Sequence, residues 1–245
     1  MRSLALVRLN LALLAAEPGA VISRIGMPLV MITVLRPLYR AAIGDQGTTH
    51  AVTGMLVLFS LLGLSIVGGS LLTERSWHTL DRLRATPASP WQILTGKAVT
   101  LGGVLLAQQA VVLGYGVVAL GLRVARPDLL ALAALAWAVT LLLLGAAAAM
   151  TVRGHSELGA VNDLGALLLS TLGGAMVPLP LLPGWAQTIA PASPGYWALQ
   201  ALGGAAAGDA AAVLRGCGVL LLVASAAGGY AAWRMNRGWG RSRLL

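Results

Sequence analysis

Three histidines, one cysteine and eight carboxylates are the groups in this 245-residue sequence with the chemistry for catalysis or metal binding. Their spacing argues against both. His50, His78 and His155 fall in three separate polar segments. Cys217 stands alone in an apolar run, so neither a disulfide framework nor a thiolate metal site can be built from it. No Ser-His-Asp or Cys-His set stands out, and Glu157 has no second carboxylate with which to form an acid–base pair. A phosphate-cradling loop needs G-x-x-x-x-G-K followed by Ser or Thr. Gly96-Lys97 comes nearest, but Ala98 follows the lysine and Trp91 stands where the first glycine belongs. This pair reads as a turn with a lysine at a membrane surface. The chain is therefore expected to be no enzyme, with no nucleotide, cofactor or metal site of its own.

Four amides and acids interrupt otherwise apolar runs. Asn162 and Asp163 fall near the start of one such run, Asp163 about one and a half turns into the expected helix, and Gln108-Gln109 sit in the middle of another. A carboxylate within a membrane helix is costly and faces water, a partner or a cavity. Two readings fit Asp163: a substrate-path or gating residue, or a structural acid that pairs with a nearby basic residue such as Arg153 or sits protonated near the interface. Two readings likewise fit Gln108 and Gln109, a polar path or hydrogen bonds between helices.

The elements that must position these residues follow from composition. The chain is 58% hydrophobic and 10% charged, with a mean hydropathy of +0.82. Soluble domains carry roughly 25% charged residues, so lipid is the solvent that fits. The expected fold is an all-α membrane protein, one domain over residues 1–245. Spans of about 20 apolar residues are expected at about 21–38, 51–72, 98–122, 129–152, 158–177 and 210–233. A polar loop is expected over Tyr39–His50, and short helices at the outer interface over Pro178–Asp209, which is rich in Pro, Gly and Trp. Residues 1–20 read as a short helix lying on the membrane rather than as a signal peptide.

The formal net charge of +9 reads as a positive-inside bias. Six spans with both termini in the cytoplasm put the basic residues of the 73–97 loop, Arg153 and both tails on one side. Arg40, Arg123 and Arg126 then lie on the other, with Arg24, Arg36 and Arg215, which fall within helix ends, left out of the count. Basic residues interleaved with aromatics, as nucleic-acid binding would require, are not found, so no nucleic-acid partner is expected.

The most informative segment is Thr73–Lys97, which reads as a short amphipathic helix over about Glu74–Ala85, stopped by Thr86-Pro87. Glu74-Arg75, Thr79-Leu80, Arg82-Leu83, Ala85-Thr86-Pro87 and Gly96-Lys97 resemble the cytoplasmic loop of ABC-2-type transporter permeases. Three further segments agree in order. Glu17-Pro18-Gly19 resembles the junction after the family's N-terminal elbow helix, and Arg153–Asn162 the polar entry to its fifth span. Pro183-Gly184-Trp185, with Ala190-Pro191 and Pro194, resembles its outer segment, although Ala192-Ser193-Pro194 stands where many relatives have Asn-Pro-Leu.

That resemblance implies six spans, an elbow helix, a cytoplasmic coupling helix and short outer helices before the last span. It implies an exporter subunit in a bacterial cytoplasmic membrane, working with two copies of a separate ATPase, which would hold ATP and Mg, and with a second permease copy or homologue. The coupling helix would engage the ATPase through Glu74, Arg75, Trp77, Thr79, Leu80, Leu83, Arg84, Thr86 and Pro87. Helices rich in Ala, Leu and Gly suit a hydrophobic drug, antibiotic or lipid-like cargo taken from the bilayer. A polysaccharide or glycolipid is the alternative cargo, and an ATP-independent channel or ion-coupled carrier the alternative mechanism.

Overall fold

The computed structural model describes residues 18–76 and 90–237. Every regular element among them is helical. Helix α1 is Pro18–Ile43, α2 Gln46–Leu62, α3 Leu64–Ser76, α4 Pro90–Leu120, α5 Pro127–Thr151, α6 His155–Leu172, α7 Gly184–Ile189, α8 Pro194–Ala207 and α9 Ala210–Asn236. The expected elbow helix and most of the expected coupling helix lie outside the described residues; Glu74 and Arg75 fall in the last turn of α3.

Five stretches are long and apolar enough to cross a membrane: Ile25–Ile43, Gln46–Thr73, Ala98–Leu120, Pro127–Thr151 and Ala210–Met235. The second combines α2 and α3, which are separated only by a kink at Gly63. There the Ile66 N–H bonds the Gly63 carbonyl and Ser65 Oγ bonds the Leu62 carbonyl, so the regular ladder is interrupted at a Gly/Ser pair. α2 is buried on every side from Ala51 to Leu58, which makes it the central helix of the bundle. It packs against α1, α4, α6 and α8, while α5 holds α3, α4, α8 and α9.

Small residues set these contacts. The Gly116 Cα in α4 faces the Val52 methyls of α2, Gly145 in α5 faces Val67 of α3, and Gly216 in α9 faces the Trp197 carbonyl of α8. Backbones approach closely at such sites, and in lipid, where no solvent drives apolar surfaces together, that packing is a main source of cohesion.

Several boundaries differ from expectation. The Tyr39–His50 loop is largely helix, because α1 runs on to Ile43 and α2 starts at Gln46. The reversal is confined to Gly44-Asp45, where Gly44 adopts φ +65°. Gly96-Lys97 is not a turn but lies within the 31-residue helix α4. The helix expected over 158–177 is α6, which starts earlier and ends at Leu172. It starts at Gly154, where Glu157 Oε2 accepts the Arg153 N–H at 2.7 Å, in the manner of a capping carboxylate. It ends because Gly173-Gly174 turn the chain, Gly174 at φ +80°. α6 is not among the five candidate spans; its first half carries His155, Ser156, Glu157, Asn162 and Asp163.

Between α6 and α9 lie the short helix α7, two single turns of 3-10 helix and α8. Ser193 organises this segment. Its Oγ accepts the Gly195 N–H at 3.1 Å as the N-cap of α8 and donates to the Leu169 carbonyl of α6 at 2.6 Å. α8 does not rest on the surface of the bundle: Ala198, Ala201, Leu202 and Ala205 are fully buried, on the helical i, i+3, i+4, i+7 stripe. The N–H groups of Ala125 and Arg126 bond the Ala206 and Ala205 carbonyls, so the turn before α5 caps the end of α8.

Candidate functional site

The bundle has two ends, and the polar residues divide between them. At one end, here the loop end, α3 leads into residues 77–89. Thr73 Oγ1 lies 3.0 Å from His155 Nε2, which joins the last turns of α3 to the first residue of α6. Beside them, Arg234 on α9 donates to the Met150 carbonyl of α5 at 3.3 Å, and Thr151 Oγ1 lies 3.4 Å from the Tyr230 hydroxyl. The Arg237 guanidinium sits 4.4 Å above the Trp233 ring, a cation–π arrangement. Side-chain hydrogen bonds thus tie α3 to α6 and α5 to α9 at this end.

Asn162 and Asp163 are adjacent in sequence and differ in burial. Asn162 is buried, and its Nδ2 has no hydrogen-bond partner. Asp163 is exposed and makes no ion pair or hydrogen bond among the described residues, so pairing with Arg153 is not what the fold provides. Its neighbours on the outward side are apolar: Leu164 is 63% exposed and Leu168 60%, with Val161 and Leu167 also exposed. Asp163 is the ninth of the 18 residues of α6, at the middle of a helix about 27 Å long. A carboxylate in the centre of an outward apolar face, with no partner among the described residues, is the unusual feature of this helix.

Gln108 and Gln109 lie on the buried stripe of α4, with Leu101, Leu105, Val112 and Leu113. Gln108 Oε1 approaches the kink at Gly63. Both polar atoms of the Gln109 amide are buried without a partner, so the expected interhelical hydrogen bond is not made by that side chain. The two glutamines and the Asn162-Asp163 pair belong to different helices and are not joined by any hydrogen bond. Of the coupling-helix residues, Trp77, Thr79, Leu80, Leu83, Arg84, Thr86 and Pro87 lie outside the described residues, and Glu74 and Arg75 are placed only as backbone at the end of α3.

At the far end, His50 sits edge-on to Tyr39 with ring centroids 5.1 Å apart, and the Tyr39 hydroxyl donates to the Met176 carbonyl at 2.6 Å. His50 and His155 are therefore at opposite ends of the bundle. Among the described residues no cluster of three or more His, Cys, Asp or Glu is placed to hold a metal ion. The sequence reading missed two arrangements here: the Thr73–His155 link and the environment of Arg36. The only advance signal for the second was the arginine itself, set in an apolar run before Pro37.

Comparison with curated proteins and with solved structures found no match. The family model described as ABC-2 type transporter matches residues 3–205, from before α1 to within α8. That model describes a permease and not a nucleotide-binding domain, and the helical bundle accords with it. A multi-pass helical bundle with this match over most of its length is the membrane transport subunit of an ABC system: the chain belongs to the ABC-2 type transporter family.

Proposed function

We propose that the chain is the permease of an ATP-driven exporter that moves a hydrophobic or amphipathic molecule, a drug, antibiotic or lipid-like compound, out across a bacterial cytoplasmic membrane. A separate ATPase subunit, in two copies, supplies the energy and holds ATP and Mg. A second permease copy or homologue completes the pathway, and both termini face the cytoplasm. The observation that carries this reading is the family match over residues 3–205.

Two features of the bundle support a route from ATPase to cargo. Residues 77–89, the expected contact with the ATPase, continue directly from α3, and Thr73 in α3 is bonded to His155 at the start of α6. Displacement of the loop when nucleotide closes the ATPase dimer would therefore pull on α6. The Glu157–Arg153 bond caps that first turn. α6 in turn carries Asp163 on its outward face, where a second permease would complete a water-accessible or cargo-lined surface. Composition supports this cargo class over a polysaccharide: aromatic residues are 5% of the chain, too few to line a long sugar-stacking path.

The test is association. The permease should copurify with an ATPase subunit. Leu80→Asp with Leu83→Asp should abolish both this association and transport while leaving the permease in the membrane. If the double variant retained both, the loop would not be the contact.

A further inference from the structure

The far end of the bundle holds a charged cleft that the transport reading does not use. Its volume is about 420 Å³, and it is lined by Arg36 and Arg40 of α1, Thr48 and Thr49 of α2, Asp45, and Arg123 in the turn after α4. Small-molecule sites fall at roughly 300–1,000 Å³, so the space exceeds that of a few waters. Three guanidinium groups face one carboxylate, and none of the three makes an ion pair among the described residues.

Arg36 is held in place by the fold. Its Nε donates to Thr48 Oγ1 at 3.2 Å and its Nη2 to the Leu120 carbonyl at 3.0 Å. Leu120 ends α4, so the arginine satisfies a carbonyl that the helix terminus leaves open. A guanidinium has five N–H donors in a rigid fork, and these two bonds leave the others unspent. Arg40 stands one turn further along the same helix. Like charges at i and i+4 repel, and Arg123 adds a third positive group from across the cleft. An anion between the three would relieve that repulsion and take up the unspent donors.

Position indicates which anion. The span Ile25–Ile43 ends three residues beyond Arg40, about 5 Å along the helix axis. Side chains at span ends reach headgroup level, and arginine recognises phosphate in bidentate fashion. We propose that this cleft binds the phosphate of a phospholipid headgroup at the far membrane surface, with Arg40 and Arg123 clamping the phosphate oxygens and Arg36 as the fixed donor behind them. Thr48 and Thr49 line the same cleft and would meet the glycerol or headgroup hydroxyls. Free inorganic phosphate shares the recognised chemistry, and the cleft's place at a span end favours the lipid.

Native mass spectrometry of the purified full chain, titrated with phosphatidylglycerol, tests this. Each hydrogen bond to a charged group contributes enough that Arg40→Ala with Arg123→Ala should weaken binding by at least about tenfold, whereas Arg126→Ala, an exposed arginine outside the cleft and paired with Asp128 at 2.8 Å, should leave it within about twofold. Arg123→Gln alone, in an exposed turn, should give a smaller loss in the same direction should the double variant fold poorly. Diacylglycerol, which lacks the phosphate, should not compete. Binding unchanged in the Arg40/Arg123 variants, or diacylglycerol binding as tightly as phosphatidylglycerol, would overturn the site. Displacement of the lipid by an equal concentration of inorganic phosphate would overturn the headgroup assignment in favour of the free ion.

Discussion

Replacing Asp163 separates a lipid-facing helix from one that lines a pathway. The residue lies at the middle of α6, exposed, with Leu164 and Leu168 exposed beside it and no partner among the described residues. If this face met lipid, the carboxylate would cost about 2.5–3.5 kcal/mol at the helix centre. Leucine there is favourable by about 0.3–0.6 kcal/mol. Asp163→Leu would then stabilise the protein by roughly 3–4 kcal/mol with transport unaffected. If the face meets water, cargo or a second permease, the charge is already solvated and its removal gains little stability. The interaction lost is then a hydrogen bond to a charged group, about 1.5–3 kcal/mol, which is about tenfold or more in transport rate. Asp163→Asn keeps the shape and removes the charge, so it should show the same transport loss without any packing change. The assay is efflux from membranes containing the permease with its ATPase, alongside thermal unfolding of the purified permease. Full transport together with a stability gain near 3 kcal/mol would refute the pathway assignment.

Three further substitutions test the packing that positions these residues. A Cβ on Gly54 would fall on the Ala175 carbonyl oxygen, so Gly54→Ala should lower stability by about 1–3 kcal/mol, read by thermal unfolding in detergent. Ser193→Ala removes the N-cap of α8 and its bond to Leu169, and should cost about 1–2 kcal/mol by the same measurement. Gln109→Leu replaces a buried amide that has no partner, so it should raise stability by about 1–3 kcal/mol. A fall in stability would show that the amide is satisfied in the assembled transporter.

The helical membrane architecture was legible because the physics of the bilayer leaves few choices. Long apolar runs with almost no charge can only be spans, and Ala51–Leu72 was readable on that ground alone. Helix ends were less legible. Arg40, Asp45, Gln46 and Thr48 look like loop residues, yet at a span end such side chains reach headgroups while the backbone stays helical, and only Gly44-Asp45 turn. The span expected over 158–177 looked continuous, and the break at Gly173-Gly174 emerged only with the chain reversal into α8. The Ala and Gly residues of α8 gave no moment strong enough to mark it as buried, although the stripe Ala198, Ala201, Leu202 and Ala205 was present.

The candidate site was legible in the same uneven way. Asp163 stood out because a charge in an apolar run is expensive, and its direction required the packing of α6. The cleft around Arg36 was not legible, since Arg36 and Leu120 are 84 residues apart and meet only once α1 and α4 are packed. The Thr73–His155 link is hidden for the same reason, its partners being 82 residues apart.

Reconstitution tests the central claim most directly. The permease, placed in vesicles with its ATPase, should move a hydrophobic drug-like cargo only when ATP and Mg are supplied, with no movement when the ATPase is omitted. Transport by the permease alone, without nucleotide, would contradict the assignment and make the chain an autonomous channel or carrier.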